Sequence, residues 1–206
     1  MLRLYDPGTG RLTDIVPARP GVIRVACADE LRAQVVGDLI RRLAARHRLR
    51  ALGIWNAVPG ASDLGVRPAE LTSGPADVHV GAAVGRWAPV PWDGLDPLAV
   101  RLALLETHYR ADLPHTRTDL TAADASLTAL RRRVAGWAES PGRPPERSYV
   151  AEAVGHLDAD LDTPAALSCL ARLAEDGSVP PGAKFETAIE LDMILGIDLV
   201  RLVGRL

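Results

Sequence analysis

LDPLAVRLALLETHYRAD, residues 95–112, is the stretch from which the rest of the chain is read. Asp96 is a good helix N-cap, and Pro97 suits the first helical position, where a missing N–H costs nothing. Leu98, Arg101, Leu102, Leu105 and Tyr109 recur every three or four residues, which places them on one broad face and predicts a helix over 96–109. Beyond it the pattern stays helical, with helices expected over 119–139, 146–158, 163–176 and 183–203. The linkers SPGRPP (140–145) and GSVPPG (177–182) separate two pairs of them, and Asp162-Thr163-Pro164 is a second strong start signal.

Upstream of residue 95 the pattern is one of strands. Residues 2–5 and 11–16 are short strand-like runs flanking Asp6-Pro7-Gly8-Thr9-Gly10, which favours a β-hairpin. VIRVAC (22–27) is short, apolar and β-branched, as a buried parallel strand should be. A helical stripe follows, made of Leu31, Val35, Val36, Leu39, Ile40 and Leu43, with Asp29 available as its cap and an end near residue 48. Further strands are expected over 52–58 and 78–84, with one helical turn at 68–71 between them. The glycines of VHVGAAV (78–84) predict a close backbone approach. Strand, helix, strand is a right-handed βαβ unit of the kind that opens a doubly wound sheet.

The expected fold class is therefore α/β: an N-terminal β-hairpin and a small Rossmann-like parallel sheet over 1–94, followed by an all-α helical bundle over 95–206. A chain of 206 residues can bury such a core. No long apolar run lacks charges, so no membrane span is expected. The opening MLRLYDPGTG has no apolar signal core, which points to a cytoplasmic protein. A net charge of −2 gives no global pull toward nucleic acid. Cys27 and Cys169 are too few for a disulfide framework or a four-cysteine zinc site.

Cationic residues are nearly all arginine, Lys184 being the single lysine. Those at 41, 42, 46, 48 and 50 read as a solvated helix face, and Arg131, Arg132 and Arg133 point in different directions and make no patch. Cys169 falls on an apolar helical stripe and reads as core. Trp55, Trp87 and Trp92 either line a pocket over the sheet's carboxyl edge or seal a surface against a partner.

Taken as strings, several blocks resemble the cysteinyl-tRNA synthetases and, more closely, their paralogue the mycothiol cysteine ligase. Residues 95–112 resemble the helix that follows the KMSKS loop of that family. LRLYD (2–6), VIRVAC (22–27), VHVG (78–81), DLDTPAAL (160–167) and LGIDL (195–199) resemble further blocks in the same order. The resemblance implies a class I synthetase-like domain with a C-terminal bundle.

The departures carry as much information. The family's histidine-bearing loop (the HIGH motif) should follow Cys27, but ADELRAQVVGD stands there with no histidine. Fewer than twenty residues separate Val58 from Asp77, where the family has a long insertion with most of its zinc ligands. RWAPVPWDG (86–94) stands where the KMSKS loop should lie and contains no lysine. Adenylate formation needs positive charge fixed in advance around a pentavalent phosphate.

The resemblance leaves Cys27, Trp55, Asn56, His79, Gly81 and Trp87 as the residues that could still contact a ligand, with no catalytic residue and no metal site. The plainer readings are that Cys27 is a small buried hydrophobe and His79 a hydrogen-bonded strand residue. Arg32, Arg67 and Arg86 are the cations nearest the sheet's carboxyl edge. No cofactor is expected. Zinc is not expected, because Cys27 has only His79 as a plausible co-ligand, whereas a zinc site needs three or four; a residual ATP or aminoacyl-adenylate pocket stays open. The expectation is thus a non-catalytic synthetase-like protein acting as a binding or regulatory partner, through self-association or a related synthetase or ligase chain. The alternatives are a small aminoacyl-adenylate-using ligase and a tRNA-binding module.

Overall fold

The computed structural model describes residues 2–205. Strands β1 (Arg3–Asp6) and β2 (Arg11–Asp14) pair antiparallel around the Asp6-Pro7-Gly8 turn, where the Asp6 carboxylate accepts from the Gly8 N–H at 2.8 Å. Strand β3 (Val22–Cys27) matches the expected run; helix α1 (Leu31–Arg46) and strand β4 (Arg50–Ile54) complete the βαβ unit. Strand β5 (Val78–Val80) joins the far side of β3, giving a parallel sheet in the order β4-β3-β5. Helices α2 (Pro97–Leu105), α3 (Arg117–Ala138), α4 (Arg147–Asp158), α5 (Thr163–Glu175) and α6 (Pro181–Leu195) form the bundle. The protein is thus an α/β fold with an appended helical bundle.

The predicted cap signals of α2 and α5 operate. Asp96 accepts from the Leu98 N–H at 3.0 Å with Pro97 in the first turn, and Asp162 accepts from the Ala165 N–H at 3.1 Å. Helix α3 begins earlier than its apolar pattern suggests, because Thr116 and Asp119 form a reciprocal capping box.

Several boundaries differ from expectation for identifiable reasons. Asp29 does not cap α1; Glu30 holds that position and makes no side-chain cap bond. Residues 68–71 form no helical turn. Leu71 bridges to Ile54 in extended geometry, and the turns of this connection lie over 59–65. Strand β5 stops at Val80, since Gly81 turns the chain. Helix α2 ends before His108 and Tyr109. Helix α6 ends at Leu195, because Gly196 takes a left-handed φ of 67° and the Asp192 carboxylate accepts from the N–H groups of Ile197 and Leu199, both at 2.8 Å.

One apolar cluster runs through sheet, α1 and bundle, joining Ile23, Val25, Leu39 and Ile40 to Leu102, Leu127, Leu157 and Leu191. A second gathers Trp55, Leu64, Val100, Leu104 and Leu120. Between these layers Arg101 is fully buried. Its guanidinium donates to Asp38 at 2.9 Å, to the Leu195 carbonyl at 2.7 Å and to the Leu64 carbonyl at 3.1 Å. Asp38 is equally buried and also accepts from Arg42 at 2.6 Å and Arg67 at 2.9 Å. Burial alone would raise the Asp38 pKa, but the charges of Arg101 and Arg42 and the hydrogen bonds from Arg67 and Arg42 outweigh it and hold the carboxyl below the usual range. Arg41 and Arg42 are therefore not a solvated face: Arg41 is buried, bonded to the carbonyls of Arg67 and Pro68 and to Glu70.

Candidate functional site at the sheet's carboxyl edge

In a doubly wound sheet a ligand binds beyond the carboxyl ends of the strands, where the strand order reverses. Here the reversal falls between β3 and β5, so Cys27, Ala28, Val80 and Gly81 mark the place. The strand ends are tied together, the Ala28 N–H donating to the Val80 carbonyl at 2.8 Å.

The six residues expected at the site do not converge. Cys27 pairs with Val80 and faces α1, where its Sγ fills the notch above Gly37; a Cβ built on that glycine would stand 2.1 Å from the sulfur. Burial pushes the Cys27 thiol up to about 12. His79 pairs with Ala26, one residue out of phase, so it projects from the opposite face of the sheet and is exposed. Cys27 and His79 therefore cannot share a ligand.

Trp55 is core: it is 4% exposed, and the Arg41 guanidinium lies 5.2 Å from its ring centre. Asn56 is exposed, its backbone carbonyl accepting from Gln34 at 2.6 Å. Trp87 packs against the second apolar cluster, and its buried indole N–H has no protein partner. Of the six, His79 and Gly81 line a cleft of about 640 Å³ between β5 and the hairpin, and the other four do not. Its floor is apolar, with Val36, Ile40, Val80 and Tyr109, and Tyr5 and Asp14 stand on its rim.

The fate of the three cations near this edge bears directly on its chemistry. Arg32 is buried and donates to the carbonyls of Gly85 (2.7 Å), Ala111 (2.6 Å) and His108 (3.1 Å). Its pKa falls to about 10, chiefly by desolvation. It thereby bolts the loop after β5 to the segment after α2. Gly85 makes this approach feasible, since a Cβ there would meet the Ala111 carbonyl oxygen at 2.1 Å. Arg67 is spent on Asp38, and Arg86 forms a two-pronged pair with Asp112 at 3.1 and 2.7 Å. Arg32 is thereby withdrawn from solvent, and Arg67 and Arg86 are each paired with a carboxylate of the fold.

The sheet has one more unusual property. Ile23 and Val25 bury one face against α1; on the other face Ile54 is buried, but Val22, Arg24, Ala26 and Leu52 are only half-buried, and Arg50 and His79 are exposed. Parallel sheets are ordinarily covered on both faces. The role of Arg32 was not legible in the sequence, because carbonyl acceptors leave no side-chain pattern. Glu152 and His156 stand at i, i+4 spacing beside Cys169, a pairing that sequence spacing alone can show.

The fold is an α/β sheet with an appended helical bundle. No family model matches the chain. Among curated proteins it is 41% identical over 112 residues to the L-cysteine:1D-myo-inositol 2-amino-2-deoxy-alpha-D-glucopyranoside ligase of Thermomonospora curvata, covering 52% of this chain and 26% of the relative. The ligase of the same name from Streptomyces avermitilis is 40% identical over 111 residues, with the same coverage. Cysteine--tRNA ligase 1 of Burkholderia lata is 35% identical over 106 residues, covering 52% of this chain and 22% of that protein. Over about half of its length the chain is thus similar to cysteine ligases. It spans about a quarter of the length of the curated relatives it matches. Among the described residues, no helix is long and apolar enough to cross a membrane.

Proposed function

We propose that this chain is a non-catalytic relative of the cysteine ligases, lacking the HIGH and KMSKS motifs, that acts as a binding or regulatory partner. The observation that carries this reading is the engagement of Arg32, Arg67 and Arg86 by internal acceptors. A site that stabilises a pentavalent phosphate must hold donors aimed outward at it. Here the arginines face carbonyls and carboxylates of the fold itself, and the loop over 86–94 supplies no lysine.

The half-covered sheet face supports the interaction part of the reading. An apolar strip bordered by polar residues is the usual composition of an association surface. Val22, Ala26 and Leu52 provide apolar surface on this face, interrupted by Arg24 and flanked by Arg50 and His79. The occupant is a second copy of the chain or a related synthetase or ligase.

Two measurements on the full chain test the proposal. ATP–pyrophosphate exchange with cysteine should give no turnover, and calorimetry with a non-hydrolysable cysteinyl-adenylate analogue should give no saturable heat. Exchange activity would overturn the non-catalytic reading, and analogue binding tighter than roughly 10 μM would show a surviving nucleotide pocket and overturn the expectation of no saturable heat. For the interaction, sedimentation across a concentration series, alone and with a cysteine ligase, should reveal a complex that Leu52→Glu abolishes. A monomer in both settings would remove the partner role.

A further inference from the structure

Away from the sheet, helices α4 and α5 bring Glu152, His156 and Cys169 together. One ligand atom from each lies within 4.8 Å of the other two, and the His156 Nε2 is 4.0 Å from the Glu152 Oε1. Glu152 and His156 are four residues apart on α4 and so share one face. Cys169 presents its sulfur from α5, the helix most extensively packed against α4. We infer that this trio is a divalent metal site with a zinc-type donor set, at the seam between α4 and α5 and separate from the sheet's carboxyl edge.

The donor set argues for the ion. A thiolate, an imidazole and a carboxylate are the ligand types zinc combines, and magnesium or calcium would not choose a sulfur and a nitrogen. Around a tetrahedral ion with bonds of about 2.0–2.3 Å, donor atoms stand roughly 3.3–3.8 Å apart. The present separations, up to 4.8 Å, exceed that by about 1.5 Å at most, which side-chain rotation supplies when two of the three residues are not buried. Three protein ligands leave the fourth position to a water.

The trio already attracts a cation. The Arg172 guanidinium donates to the Glu152 carboxylate at 2.5 Å and to the Cys169 sulfur at 3.3 Å. Arg172 is half exposed, so it can turn to solvent as an ion enters, and in doing so it uncovers the otherwise buried Cys169. Binding transfers the Cys169 proton to solvent and leaves a neutral first shell: Zn²⁺ balanced by one thiolate and one carboxylate.

The test uses untagged, chelator-treated full-length protein titrated with Co²⁺ as a spectroscopic stand-in, followed by Zn²⁺ displacement. The expected result is a sulfur-to-cobalt charge-transfer band saturating at one equivalent, with zinc displacing cobalt at an apparent Kd of ~1 μM or tighter. The band should persist in Cys27→Ser and vanish in Cys169→Ser. His156→Ala should weaken binding by more than the ~10–100-fold that loss of an outer-shell partner costs. Circular dichroism establishes that each variant is folded. If Cys169→Ser does not fold, His156→Ala and Cys27→Ser decide between them. Absence of the band in folded wild-type protein overturns the inference, as does its loss in Cys27→Ser or full retention in His156→Ala.

Discussion

Replacing Asp38 with asparagine should cost the fold about 3–5 kcal/mol, the usual penalty for leaving a buried charge uncompensated. The size follows from its surroundings. Asp38 takes guanidinium donors from Arg101, Arg42 and Arg67 on two carboxylate oxygens. Asparagine keeps one oxygen and turns an NH₂ group toward at least one of these donors, so a hydrogen bond becomes a donor facing a donor. Arg101 suffers most, because it has no exposure and its remaining partners are two neutral carbonyls. At roughly 2–4 °C per kcal/mol for a chain of this size, calorimetry should register a fall in Tm of about 6–20 °C. Arg86→Ala, which breaks a fully exposed pair, should leave Tm in place and serves as the control.

The effect also has a pH signature. Because the folded pKa of Asp38 lies below its unfolded value, its contribution is complete above the unfolded value of ~3.9 and is lost as pH falls through the folded one. The gap between wild type and Asp38→Asn should therefore narrow below about pH 4. A loss under ~1 kcal/mol at pH 7, the range of exposed ion pairs, would refute the view that Asp38 compensates a buried Arg101.

Three other outcomes follow from the geometry. Gly85→Ala forces backbone apart at Ala111 and loosens the Arg32 bolt, so urea denaturation should show a loss of about 1–3 kcal/mol; a neutral result would mean the loop shifts freely. With its thiol pushed up to about 12, Cys27 in the folded protein should alkylate at pH 8 roughly a thousandfold more slowly than a free cysteine, as mass spectrometry of the labelled peptide would measure. An electrophoretic shift with tRNA should be absent at micromolar protein; a shift that weakens steeply with salt would restore the tRNA-binding alternative.

Much of the fold was legible because local signals agreed with one another. VIRVAC was bounded by Pro20-Gly21 on one side and polar residues on the other, and the strand occupies those six residues. Asp96-Pro97 and Asp162-Thr163-Pro164 announced their helices through side-chain acceptors and proline placement, which need no tertiary help. The end of α6 was misjudged because the apolar spacing continues past Gly196, and periodicity outvoted the glycine. Arg101 was correctly placed on the buried face of its helix, but its counterion lies 63 positions earlier, and no local pattern links the two. The candidate site was least legible. Cys27 and His79 are each near a strand end, yet sheet register sends them to opposite faces, and register is a property of paired strands.

The Asp160 carboxylate accepts from the Tyr5 N–H at 2.9 Å and the Tyr109 hydroxyl at 2.7 Å, and Arg3 bridges to Ala159. On the ribosome this sets a waiting time. The two ends of the Tyr5–Asp160 bond are 155 residues apart, and at about 5–20 residues per second the anchor emerges roughly 8–30 s after the strand it holds. Throughout that interval the first hairpin has been made but lacks its Asp160 anchor. Vectorial synthesis therefore does not complete this fold from its amino end; the first strands to leave the tunnel are seated only after the fourth helix has followed them out.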